Sequence, residues 1–327
     1  MLDPIKLATE LINIKSITPE DNGCQSVISS HLERLHFSIV PINSNGVTNL
    51  WAIHGDSGPI FAFSGHTDTV PAGPIDQWTS PPFAAHIRNG TLFGRGAADM
   101  KAALAAMLVA SERFLTQHTS PDFRLAFMIT SDEEGNATDG TIKIVDYLQE
   151  QDIPLTWCLI GEASSNQKLG DSIKVGRRGS LHGELHLIGK QGHIAYPQLA
   201  DNPIHRCFKA LDDLTQVEWD QGNDFFQPTS FQIYNIHADT GASNMIPGAL
   251  TATFNFRFSP ASTASHLQQR VIQELDSHQL NYEIEWNLMS EPFLSKPGLL
   301  CKATQQSINK ICNVDTLPNT AGGTSDG

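Results

Sequence analysis

The chain has 327 residues, 40% of them apolar and 17% charged, which is enough to bury a large core and too few charges for a disordered chain. Against 21 Lys and Arg stand 35 Asp and Glu, and the resulting net charge of −14 repels phosphate backbones and anionic membranes, arguing against a nucleic-acid or membrane partner. No apolar run approaches the about 18 residues of a membrane span, and Met1-Leu2-Asp3-Pro4 has no leader character. Five scattered cysteines (Cys24, Cys158, Cys207, Cys301, Cys312) form no Cys-x-x-Cys pair, as expected of a cytoplasmic protein with about two domains.

In chain order, residues 3–13 and about 20–36 read as helices, the second entered through Thr18-Pro19-Glu20. Short apolar runs at 48–53, 60–64, 124–130 and 157–160 are bounded by turn residues and read as buried strands. Residues 100–115 are apolar over most of a helical circumference, which predicts a buried helix. The alternation predicts an α/β domain with a mainly parallel sheet and helices on both faces. Near residue 176 the pattern changes. Residues 180–188 alternate, with Leu181, Gly183, Leu185 and Leu187 on one face and His182, Glu184 and His186 on the other. A helix at 202–215, strands near 229–237 and 249–258, a helix at 263–276 and a strand at 281–288 complete a βαββαβ, ferredoxin-like order. In 249–258, Leu250, Ala252, Phe254, Phe256 and Phe258 are predicted to face inward. The expected division is a catalytic domain over 1–176, an inserted domain over 177–290, and a return to the catalytic domain over 291–327. That return holds a helix at about 297–312 and ends in the Gly-rich run Ala321–Gly327, which reads as a truncated terminus.

Chemistry-bearing residues follow these strands. His66 and Asp68 come after 60–64, Glu133 and Glu134 after 124–130, Glu162 after 157–160, and Asp99 just before the buried helix. Ligands of open α/β sheets bind outside the carboxyl ends of the strands. Taken singly, Asp99 is as well explained as a helix cap, Glu133 and Glu134 as solvated acids, His66 as a satisfied core histidine and Glu162 as the start of a helix. Together, like charges crowded into a cleft call for a cation, and an imidazole–carboxylate set without thiolate suits Zn²⁺, Co²⁺ or Mn²⁺. A metal pair needs a bridge, for which Asp99 is the candidate. Glu133 and Glu134 then divide the base and ligand roles, and Asp68 is placed to hold the His66 imidazole. No Gly-x-Gly-x-x-Gly, P-loop, Gly-x-Ser-x-Gly or His-Glu-x-x-His is present.

At these residues the sequence resembles the M20 family of metallopeptidases. The stretches that carry the likeness are SGHTDTVPAG (64–73), GRGAADMKAA (94–103), TSDEEG (130–135), GEAS (161–164), GRRGSLHG (176–183), GHIAYPQLADNPIH (192–205), NMIPG (244–248), FRFSP (256–260) and GGTSDG (322–327). The resemblance implies a di-zinc amidohydrolase, with His66 and Glu162 on one metal, Asp99 bridging, Glu134 on the other metal, and Glu133 as general base and then acid. It also implies a further histidine ligand from beyond residue 327. The implied substrate is N-succinyl-L,L-2,6-diaminopimelate, cleaved to succinate and L,L-diaminopimelate in lysine biosynthesis. Hydrolysis of acetylornithine or another N-acyl amino acid is the alternative within the class, and a non-catalytic dimerising or amino-acid-binding chain the alternative outside it. Arg177, Arg178, Tyr196, Asn244, Arg257, Gly323 and Thr324 resemble substrate-binding positions, since guanidinium forks suit carboxylates. For Arg257 a salt bridge on a polar strand face is the competing reading. His193 resembles the family's oxyanion-stabilising histidine, which implies a homodimer formed through the inserted domain.

Overall fold

The computed structural model describes residues 2–322, so Gly323 and Thr324 lie outside the described residues. Two compact units divide the chain, one running to Ala163 and the other beginning at Ser164.

In the first unit, helix α1 (Pro4–Asn13) starts on Asp3, whose carboxylate accepts the Ile5 amide at 2.9 Å, and it buries Leu7, Ala8, Leu11 and Ile12. Helix α2 (Cys24–Arg34) begins later than Thr18-Pro19-Glu20 predicts. The start is set instead by Asp21, whose carboxylate accepts the amides of Gly23 and Gln25 at 3.0 Å, with Gly23 in the left-handed region at φ 97°.

Strands β1 (Ser38–Pro41), β2 (Asn49–His54), β3 (Ile60–His66), β4 (Arg124–Thr130) and β5 (Trp157–Ile160) form one sheet in the order β1-β2-β4-β3-β5. Helix α3 (Ala102–Gln117) lies between β3 and β4 in the chain, and α4 (Thr141–Glu150) between β4 and β5. The pairs β3–β4 and β3–β5 are parallel; β1–β2 and β2–β4 are antiparallel. The sheet is therefore mixed, and parallel in the half that carries the acids. The helical connections after β3 and β4 allow parallel return, whereas the short turn between β1 and β2 permits only a hairpin.

Along β4 the pleat sends Leu125, Phe127 and Ile129 into a core with α1, α2 and α3. Ala126 and Met128 point the other way and join Trp51, Ile60, Ala62 and, from α4, Ile144 and Leu148. Both faces of the sheet are covered, as the apolar runs predict.

The second unit contains the βαββαβ order: β6 (Gly179–Ile188), α5 (Pro203–Gln216), β7 (Ser230–His237), β8 (Ala249–Phe258), α6 (Ala264–Ser277) and β9 (Tyr282–Ser290). Its antiparallel sheet runs β7-β8-β6-β9. All five predicted inward residues of β8 are buried, packed with Leu181, Leu185 and Leu187 against Leu211 and Leu214 of α5 and Leu267, Val271 and Leu275 of α6. The Trp219 ring meets Phe256 edge-on at 4.7 Å.

Helix α7 (Leu299–Cys312) follows the strand Phe293–Leu294, which pairs with Gly176–Arg177. Leu317–Asn319 runs parallel to Ser172–Lys174. These pairings put residues on either side of the βαββαβ segment next to each other, so the second unit begins before 177 and continues past 290. Among the described residues, no helix is long and apolar enough to cross a membrane.

Candidate metal centre

Three neighbouring parallel strands end together: His66 of β3 is level with Thr130 of β4, and Ser64 of β3 with Ile160 of β5. Glu133 and Glu162 follow within three residues of those ends, so the sheet delivers an imidazole and two carboxylates to one edge. Asp99 joins them from the turn after Gly96, whose φ of 77° lets the chain reverse just before α3.

The His66 side chain is fully buried. Its Nε2 lies 3.0 Å from Asp99 Oδ1, 3.3 Å from Glu162 Oε1 and 4.0 Å from Glu133 Oε2. Ligand atoms of His66, Glu133 and Glu162 all lie within 4.8 Å of one another. Glu134 stands beside that group: its carboxylate accepts the Val70 amide, and burial followed by the negative charge of Asp99 pushes its pKa up.

Asp68 does more than its spacing from His66 predicts. The His66 Nδ1 contact is nearer to the Asp68 carbonyl, at 3.0 Å, than to its carboxylate, at 3.4 Å. The carboxylate instead accepts the amides of Glu133 at 3.2 Å and Glu134 at 3.1 Å, so it clamps the loop that carries both acids. Burial alone would raise the Asp68 pKa; the hydrogen bond and charge of His66 outweigh it and hold the group ionised. Burial likewise pulls the imidazole of His66 down, but hydrogen bonds to Asp68, Asp99 and Glu162 carry it well above the ordinary histidine value. Asp99 is lowered, chiefly by its hydrogen bond to His66.

Sequence reasoning missed Met100 and Lys101, reading them as the first turn of a buried helix. Both are fully buried. Lys101 Nζ donates to the carbonyls of Leu11 and Ile14, each at 2.8 Å, and so ties the Asp99 turn to the end of α1. A lysine opening an otherwise apolar stretch was the available signal, because a buried ammonium needs acceptors.

Other predicted residues lie in the second unit. His193 and Asn244 approach through Nε2 and Nδ2 at 3.4 Å, and the exposed Tyr196 ring is 5.8 Å from His193. Arg177 lies over the Phe293 ring at 5.6 Å. Arg257 lies on β8 opposite Ser180 and forms no ion pair among the described residues. Burial, then the charge of Arg257, lowers the pKa of the Arg178 guanidinium. Two guanidiniums that repel each other form a pair suited to an anion.

The first-unit donor set fits a divalent metal on its own chemistry. The atoms around His66 Nε2 are carboxylate oxygens, so one N–H faces three acceptors, and a cation matches all of them at once. An α/β domain with such a cluster at the carboxyl end of its parallel strands has the make-up of a metal-dependent hydrolase. The sequence model of peptidase family M20/M25/M40 matches residues 62–327, and the chain belongs to that family.

Among its relatives is the succinyl-diaminopimelate desuccinylase of Coxiella burnetii (strain RSA 493 / Nine Mile phase I). It is 53% identical over 327 residues, covering 100% of this chain and 87% of that protein. The enzyme of the same name from Acinetobacter baumannii (strain ACICU) is 54% identical over 325 residues, with 99% and 86% coverage. In fold, the chain is similar to an M20 family metallo-carboxypeptidase from Sulfolobus solfataricus, with a TM-score of 0.76 at 17% identity, covering 100% of this chain and 87% of that one. A Bacillus subtilis dinuclear metal-binding peptidase of the M20 family aligns with a TM-score of 0.67 at 16% identity, covering 98% and 85%.

Proposed function

We propose that the protein hydrolyses N-succinyl-L,L-2,6-diaminopimelate to succinate and L,L-diaminopimelate. The observation that carries this reading is the 53% identity, over the whole of this chain, to proteins named succinyl-diaminopimelate desuccinylase. The clustered His66, Asp99, Glu133 and Glu162 support it.

His66 and Glu162 would hold one Zn²⁺, Glu134 a second, and Asp99 would be shared between them, with Co²⁺ or Mn²⁺ as substitutes. Bound there, the metals supply Lewis-acid polarisation of the amide carbonyl and acidify water. Glu133 takes the proton of the attacking water and returns it to the leaving amine, a general base that becomes a general acid. Asp68 acts by holding the amides of Glu133 and Glu134, which fixes where their carboxylates stand. His193 donates to the developing oxyanion. Arg177, Arg178, Arg257, Asn244 and Tyr196 bind the substrate's carboxylates, with Gly323 and Thr324 completing the set. We further propose a cytoplasmic homodimer formed through 177–290, and that 291–327 belongs functionally with the catalytic domain.

Parallel assays on succinyl-diaminopimelate and acetylornithine test the reading. Hydrolysis of the first with a kcat/KM at least about a hundredfold above the second is expected, since a second carboxylate held by a guanidinium is worth several kcal/mol. Preference for acetylornithine would overturn it.

A further inference from the structure

We propose that Met100 is a positioning residue, whose thioether sets the spacing of the three segments that bring His66, Asp99 and Glu162 together. The inference rests on the metal-centre reading above and adds to it a residue that contributes no ligand.

Three observations converge on this side chain. First, the His66 backbone amide donates to Met100 Sδ at 3.4 Å, inside the protein, where an unmatched N–H would be costly. Second, Gly65 and Gly161, the residues just before His66 and Glu162, both have Met100 as the nearest side chain, with Leu104 also beside Gly65 and Met107 and Ala103 beside Gly161. A methyl group added at Gly65 would lie 2.9 Å from Met100 Sδ, and one at Gly161 would lie 2.7 Å from Met100 Cε. Third, Met100 is bonded to Asp99 and fully buried, so its position and that of Asp99 are tied.

One flexible, polarisable side chain thus touches the backbone beside two ligand-bearing residues and adjoins the third. An unbranched thioether suits this place, because it fills an irregular gap between two glycines and its sulfur accepts a weak hydrogen bond. A leucine of similar volume fills much of the gap but leaves the His66 amide without an acceptor.

The test compares Co²⁺ binding by wild type, Met100→Leu and Met128→Leu, the last a buried methionine on the opposite face of the sheet. Visible absorption of the bound Co²⁺ reports ligand geometry, and titration reports affinity. For Met100→Leu the expected result is an altered spectrum, affinity about tenfold weaker, and kcat down about tenfold with KM within about twofold, the scale of one lost buried hydrogen bond. Met128→Leu should match wild type in spectrum and affinity. Gly161→Ala, which presses on Met100 Cε without removing the sulfur, should shift the spectrum as well, so the proposal stays testable if Met100→Leu does not fold.

Wild-type spectrum and affinity in Met100→Leu or in Gly161→Ala, or an equal change in Met128→Leu, would overturn the positioning role while leaving the metal centre intact. Failure of the wild type itself to bind Co²⁺ would overturn the metal-centre reading, and this inference with it.

Discussion

Glu133 and Asp68 differ in what they touch, and their variants should fail differently. Glu133 Oε2 is 4.0 Å from His66 Nε2 and reaches the cluster with its own carboxylate. Glu133→Gln keeps the shape and removes the basicity, so metal content should stay near wild type while kcat falls by about 10²–10⁴-fold. Near-wild-type turnover would remove Glu133 from the base role. Asp68 meets the acids through their amides, so Asp68→Asn leaves each carboxylate in place but loosens its support. Metal affinity and activity should both fall, by about 10–100-fold, measured by competition with a chelator and by initial rates. At this scale the sequence showed which residue types gather but not how they are held. The spacing of His66 and Asp68 points to a carboxylate–imidazole pair. The clamp on Glu133 and Glu134 depends on strands that meet only in three dimensions, as does the approach of Met100 to Gly65.

Whole strands were easier to read than their partners. In β8 the alternation of Leu250, Ala252, Phe254, Phe256 and Phe258 is complete, and every one of them is buried. Period-two burial is written directly into residue order. The antiparallel pairing of β2 with β4 is not, because it depends on the short link from His54 to Ile60, which sends β3 back in the direction opposite to β2, and on the parallel pairing of β3 with β4, rather than on the apolar content of either strand. The start of α2 was misread for a similar reason: Asp21 and Gly23 compete with the Pro19 signal and win through hydrogen bonds.

Pairing across strands also predicts a cost. Gly183 of β6 lies against the Phe254 ring of β8, so Gly183→Ala forces a methyl group into an aromatic side chain. We expect a loss of about 1–3 kcal/mol in chemical denaturation. Asp220 joins separate elements in another way: its carboxylate accepts the Thr229 amide at 3.0 Å, Ser259 Oγ at 3.0 Å and Ser262 Oγ at 2.8 Å. Burial opposes ionisation there, but the Thr229, Ser262 and Gly222 hydrogen bonds outweigh it and bring the pKa down to about 2. A depressed carboxylate stabilises the fold above its unfolded pKa, and that contribution disappears as pH falls through the folded value. Asp220→Asn should therefore cost about 1–2 kcal/mol at pH 7, allowing for partial solvent exposure. The deficit should shrink between about pH 4 and pH 2. A deficit that does not change with pH would assign it to lost packing.

Across the molecule, a formal charge of −14 adds to the repulsion among the acids around His66. Removing divalent metal with a chelator should abolish activity and lower Tm, because a ligand that binds only the folded state stabilises it by mass action. Raising salt to about 0.5 M, where screening acts within a few ångströms, should recover part of the Tm but none of the activity. Full recovery of Tm by salt alone would mean that the metal acts only as a diffuse counter-ion.

The division of the chain at Ala163 and Ser164 bears on how the protein is made. His66, Asp68, Asp99, Glu133, Glu134 and Glu162 all precede Ser164, and so do the five strands of the sheet that presents them. During synthesis, which releases the N-terminal segment first, every one of these residues emerges from the ribosome ahead of the βαββαβ segment. Arg177, Arg178, His193, Asn244 and Arg257 emerge only afterwards. Order of translation therefore separates the residues proposed to hold a cation from those proposed to bind an anion.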